Sequence, residues 1–112
     1  MKTVKRIGIY FKLKQNKREA YIRAHENIWP AMREVLSEAG VRNYSIWNLG
    51  DDLFAYYETD HEERMQAVLD SSEVYAGWRD MMEDFVYKDE NGRKEWPMEM
   101  VFFNQGQEKE DS

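Results

Sequence analysis

The chain has 112 residues, 42% of them hydrophobic and 14% aromatic, with 16 basic and 22 acidic side chains and no cysteine. That length fits one domain able to bury its own core, and the composition is not that of a disordered chain. A net charge of −6, spread along the chain, argues against nucleic acid as a partner, and the lack of cysteine rules out disulfides and thiolate metal sites.

The N-terminus, Met1 to Arg6, is basic, but Lys12 and Lys14 interrupt the apolar stretch behind it. The stretch is too short and too charged for a signal peptide or a membrane span, so a soluble cytoplasmic protein is expected. From Arg6 to Leu13 the residues alternate, with Ile7, Ile9, Phe11 and Leu13 on one side. Period two over this length predicts a half-buried strand. From Gln15 to Ala39 the spacing turns helical, and Ile28, Met32, Val35, Leu36 and Ala39 fall on one stripe. Gly40 stands where a helix-terminating glycine belongs.

Pro30 divides this helical stretch, because proline has no N–H and pushes the residue before it away from helical dihedrals. The expectation is one helix from about Lys17 to His25, a bend, and a second helix with Pro30 in its first turn. Such a bend would leave the face bearing Tyr21 and His25 open to a cavity. Val41 to Asn48 and Leu53 to Thr59 read as a hairpin through Leu49-Gly50-Asp51-Asp52. Asp60 reads as the N-cap of a helical segment from His61 to Phe85, divided at Ser71-Ser72, where serine caps the second piece. Tyr87 to Trp96 is a polar loop, and Met98 to Phe103 alternates as a last strand. The folded domain is expected to span residues 1–104, followed by a disordered acidic tail over 105–112.

The element order is β-α-β-β-α-β, the ferredoxin-like split βαβ pattern of the α+β class. Both helical segments then cover one face of an antiparallel sheet. The strands carry Tyr10, Tyr44, Trp47 and Tyr56, so an uncovered face would be aromatic, and a homodimer is the simplest way to bury it.

Few residues are suited to acid–base chemistry. Of the two histidines, His25 is the first candidate, and Tyr21, four residues earlier, shares its helix face. The same pair is common on ordinary amphipathic helices, and spacing alone favours that reading. His61 reads as a surface residue at a helix start. The acidic residues show no ligand spacing, and no metal site is expected. Each tryptophan is core or interface by default, yet an aromatic wall with a few polar groups also suits a sugar.

The run Tyr21-Ile22-Arg23-Ala24-His25-Glu26-Asn27-Ile28-Trp29-Pro30 resembles the L-rhamnose mutarotase family. The likeness continues through Gly40, Asn43-Tyr44-Ser45-Ile46, Leu53-Phe54-Ala55-Tyr56-Tyr57-Glu58, Trp78 and Val101-Phe102-Phe103. It implies a dimeric α+β barrel that interconverts the α and β anomers of L-rhamnose without a cofactor. It also implies that His25 is the catalytic proton donor, that Tyr21 and Tyr44 bind the sugar, and that Trp78 is the first of two adjacent substrate-site tryptophans. Arg79 stands at the second of those positions, and Ala31 where a glutamate often follows the Trp-Pro pair. These departures bear on sugar preference more than on the reaction. A cofactor-free monooxygenase or a non-catalytic metabolite-binding regulator on the same fold is the alternative.

Overall fold

The computed structural model describes residues 3–107. Its elements are β1 (Lys5–Lys12), α1 (Arg18–Glu26), α2 (Pro30–Glu38), β2 (Arg42–Leu49), β3 (Asp52–Thr59), α3 (Glu62–Asp70), α4 (Glu73–Met82) and β4 (Trp96–Met98). Each long helical stretch of the sequence is a helix pair, so the order remains β-α-β-β-α-β in outline. The strands form one antiparallel sheet in the order β2-β3-β1-β4.

Pro30 is the first residue of α2, and Trp29 before it is extended at φ −63° and ψ 133°. The α2 helix ends in a left-handed Gly40 at φ 80°. There Gly40 N–H donates to the Ser37 carbonyl at 3.1 Å and Val41 N–H to the Leu36 carbonyl at 3.0 Å. This is the Schellman arrangement, which satisfies carbonyls the helix itself leaves unpaired. The α4 cap also follows expectation, with Ser72 Oγ accepting from Tyr75 N–H at 3.1 Å. The α3 cap does not. His61, rather than Asp60, is the N-cap, and its Nδ1 accepts from Arg64 N–H at 3.1 Å. An imidazole nitrogen with a lone pair does the work of a carboxylate oxygen one residue later in the chain.

The β2–β3 hairpin turns on two residues, Gly50 and Asp51, with φ 62° at Gly50, the positive dihedral a type II′ turn needs at its first central position. One irregularity was not foreseen. Asn43 adopts φ 51°, and the β2–β3 register jumps between Arg42↔Glu58 and Ser45↔Tyr56. This bulge sets two residues of β2 against one of β3. It keeps Arg42 on the same face as Ser45 and Trp47 while Tyr44 and Ile46 point the other way.

Ile7, Ile9 and Phe11 pair with Tyr57, Ala55 and Leu53 on the face toward the helices. Two apolar clusters form there. One holds Leu13, Tyr21, Leu53 and Val86; the other holds Ala39, Met65 and Leu69. The opposite face carries Tyr10, Trp47, Phe54, Tyr56 and Trp96, with the Tyr10 ring 5.5 Å from Phe54 and 6.0 Å from Trp96. No helix covers it.

The last strand lies elsewhere than expected. β4 is Trp96–Met98, paired with Tyr10, Ile9 and Gly8, whereas 99–107 join no strand. Alternation over Met98 to Phe103 signals an extended backbone with an apolar side. It does not supply a neighbour. Val101 and Phe102 are 89% and 78% exposed, while Phe103 folds back so that the Arg6 guanidinium lies 3.9 Å from its ring centroid. Of the expected acidic tail, residues 105–107 are exposed and without regular structure, and 108–112 lie outside the described residues.

Leu53 is 1% exposed at the centre of the first cluster. Leu53→Ala is expected to lower stability by about 2–5 kcal/mol. Urea unfolding checks this as a lower midpoint at unchanged slope.

Candidate functional site

The two apolar clusters do not merge. Between them, under the helices, is a cavity of about 790 Å³. This lies within the range of small-ligand pockets, roughly 300–1,000 Å³. Its walls come from all three principal strands and all four helices, with the loop before β4 at its rim. Tyr21, His25, Tyr44, Trp78 and Arg79 all line it.

Tyr21 and His25 sit one turn apart on α1, with ring centroids 4.3 Å apart. His25 lies in the last turn, just before the break imposed by Pro30, and is half-buried. Its Nδ1–H donates to the Tyr21 carbonyl at 2.9 Å. A carbonyl only accepts, so this contact fixes the tautomer: the proton of the neutral ring is on Nδ1, and Nε2 keeps its lone pair. Burial lowers the His25 pKa below its usual 6.5, with the carbonyl contact opposing in part.

The hydroxyl of Tyr21, 4% exposed, has its pKa pushed far above 10 by burial and then by nearby Tyr44. Tyr44 comes from β2, turned to this side beyond the Asn43 bulge, with its ring 5.7 Å from that of Tyr57. Its side chain is 45% exposed, because the cavity is open, but its hydroxyl is crowded. Burial raises its pKa strongly, followed by Tyr75, Glu95 and Tyr57. Both hydroxyls therefore stay protonated across the neutral range as hydrogen-bond donors. Tyr57 and Tyr75 are raised as well, first by burial.

Trp78 on α4 is 6% exposed and meets two rings edge-on: His25 at 5.2 Å and Trp29 at 5.3 Å. Trp29 thus buttresses Trp78, and Gly77 beside it lies against the Trp29 indole. Arg79 is exposed at the cavity, its guanidinium 5.7 Å from the Tyr75 ring.

Three lining residues carried no clear signal. Tyr57 continues the inward row Leu53-Ala55, and Tyr75 lies one turn before Trp78 and Arg79, so their sides were legible but not their role. Glu95 stood in a polar loop with nothing to single it out. Among the described residues no three His, Cys, Asp or Glu side chains gather as a metal site, and no helix is long and apolar enough to cross a membrane.

Helices packed on a four-stranded antiparallel sheet are a fold this chain shares with other ferredoxin-like α+β proteins. A putative antibiotic biosynthesis monooxygenase from Nitrosomonas europaea superposes at TM-score 0.62 over 91% of this chain and 94% of its own, at 17% identity. At that identity only the fold is common. The crystal structure of an L-rhamnose mutarotase from Formosa agariphila superposes at TM-score 0.75, with 26% identity over 90% of this chain and 99% of that one. The profile of the L-rhamnose mutarotase family matches residues 6–103. The chain belongs to the L-rhamnose mutarotase family. Among relatives, the L-rhamnose mutarotase of Bacillus subtilis is 37% identical over 60% of this chain and 66% of its own length. That of Shigella flexneri is 32% identical over 76% of this chain and 84% of its own.

The fixed tautomer and the burial of His25 are open to measurement. Nitrogen NMR of the histidines is expected to show Nδ1–H in neutral His25 and a titration midpoint below 6.5, against a midpoint at or above it. Because the folded pKa is depressed, the linked stability is full above 6.5 and is lost as the pH falls from there toward the folded value.

Proposed function

We propose that this protein interconverts the α and β anomers of L-rhamnose, opening and reclosing the pyranose ring by proton transfer. What supports the reading is one site in a chain of this family. There, a histidine with a free Nε2 faces a cavity beside two tyrosine hydroxyls held in their protonated form. The monooxygenase reading rests on fold alone and gains nothing from these residues.

The reaction requires a proton delivered to the ring oxygen and one removed from the anomeric hydroxyl. The C1–O5 bond breaks, C1=O1 forms, and rotation about C1–C2 presents the other face of the aldehyde for closure. His25 in its cationic form carries a proton on Nε2 and gives it to O5, the Tyr21 carbonyl holding the ring in place through Nδ1–H. The cation that burial makes less stable is the stronger acid. Tyr21 and Tyr44 donate to sugar hydroxyls, and Trp78 supplies an apolar wall for the C–H face of the ring. Arg79 offers guanidinium donors to the hydroxyls at the cavity mouth. Only protons move, so the reaction calls for no redox cofactor.

The working form is a homodimer in the cytoplasm. The aromatic sheet face and the exposed Val101 and Phe102 are a surface that a second copy would bury. A cysteine-free chain suits a reducing compartment. Light scattering is expected to give a particle of two chains, and a monomer at micromolar concentration would contradict the dimer.

NMR saturation exchange between the L-rhamnose anomers tests the activity directly. No acceleration by the wild type would sink the reading. His25→Ala is expected to lower kcat/KM by about 10²–10⁴-fold. The acid form of His25 exists only below its depressed pKa, so kcat/KM should fall as the pH rises from about 5 to about 8, and a flat profile would remove His25 from the role.

A further inference from the structure

We propose that Glu95 is a second catalytic residue of this reaction, its carboxylate taking the proton of the anomeric hydroxyl while His25 protonates the ring oxygen. The inference rests on the mutarotase reading and assigns the base which that reading leaves open.

Among the described residues three carboxylates line the cavity: Glu26, Glu83 and Glu95. Glu83 is occupied. Lys94 Nζ donates to its Oε1 at 2.9 Å, and Lys88 pairs with its Oε2. With both oxygens engaged by ammonium groups its pKa is pushed down to about 2, and a carboxylate that acidic accepts a proton poorly. Glu26 follows His25 on α1 and leaves the helix about 100° further round; like Glu95 it is exposed. Glu95 remains. Among the described residues no lysine or arginine side chain pairs with its carboxylate.

Its neighbours fix where it points. Trp96 packs against Tyr10 on the uncovered face of the sheet, at 6.0 Å between ring centroids. Alternation along an extended chain then turns Glu95 to the other face, where the cavity lies. The residue before it, Lys94, is anchored to Glu83 on the segment that follows α4. The Arg93 guanidinium nitrogen Nε donates to the Glu95 carbonyl at 3.0 Å. Further back, Asp89 Oδ1 accepts from the backbone N–H groups of Asn91 and Arg93 at 2.9 and 2.8 Å. The loop therefore presents the Glu95 carboxylate to the cavity from an anchored backbone. Across the cavity, Tyr44, Tyr57 and Tyr75 all feel its negative charge. These three side chains come from β2, β3 and α4, which wall the same cavity as Glu95.

The proton count balances. In ring opening, O1–H loses its proton to Glu95, C1=O1 forms, C1–O5 breaks, and O5 takes the Nε2 proton of His25. Closure on the other face returns the O5 proton to His25 and the Glu95 proton to O1, and both groups end as they began. One proton is shared between two groups throughout, and no further acid, base or oxidant enters.

The test compares wild type, Glu95→Gln and Glu95→Ala in L-rhamnose anomer exchange, with circular dichroism confirming folded protein. Both variants are expected to lower kcat by about 100-fold, with KM changed by less than about threefold. Formate should restore Glu95→Ala by about tenfold or more, acting as a diffusible carboxylate in the vacated space, and should do nothing for Glu95→Gln. A folded Glu95→Gln with kcat near that of the wild type overturns the assignment. So does a loss confined to KM, which would make the carboxylate a binding group, or a lack of rescue by formate. In each of these cases an active wild type leaves the mutarotase reading standing, whereas an inactive wild type brings down both.

Discussion

Pro30 has no amide proton and its ring cannot share space with the carbonyl four residues back. From that one restriction follow the end of α1 at Glu26, the extended Trp29 and the fresh start of α2. An unbroken helix over the same residues would lie flat on the sheet and carry His25 into a continuous core. The break instead leaves His25 in a final turn with space beside it. Trp29, released from helical geometry, swings against Trp78, which in turn presents its edge to His25. Three aromatic groups, from α1, from the α1–α2 link and from α4, are thus ordered around a residue type chosen for what it cannot do.

The electrostatics of the cavity follow from burial. Low-dielectric surroundings disfavour every charged form. They hold His25 toward neutrality and keep the Tyr21 and Tyr44 hydroxyls protonated. At the rim, Glu83 pairs with both Lys88 and Lys94 in water-accessible positions. A neutral polyol meets hydroxyl donors inside and brings no ion of its own to be desolvated, which is the costly event in binding a charged ligand.

Much of this was written in local chemistry. Pro30, Gly40 and Ser72 each act within a few residues of themselves, so their effects on helix boundaries could be read without knowing the fold. The inward row of β3 and the ferredoxin-like order were legible for the same reason. What stayed hidden depends on partners distant in sequence. The Asn43 bulge exists only relative to β3, and asparagine merely tolerates the left-handed dihedral it needs. β4 sits at Trp96–Met98 because β1 is beside it there, while the more regular alternation after Met98 meets no strand. Likewise His61 replaced Asp60 as cap through a ring nitrogen that composition rules rank low. The five residues drawn from family likeness line one cavity, whereas Glu95 enters it through a loop whose order comes from Asp89, Arg93 and Glu83 together.

The edge contact between His25 and Trp78 has a spectroscopic consequence. An imidazolium accepts an electron from an excited indole far more readily than a neutral imidazole does. With the two rings 5.2 Å apart, the emission of Trp78 is coupled to the charge state of its neighbour. Protonation of the site thereby becomes visible as light, without a dye or an added label.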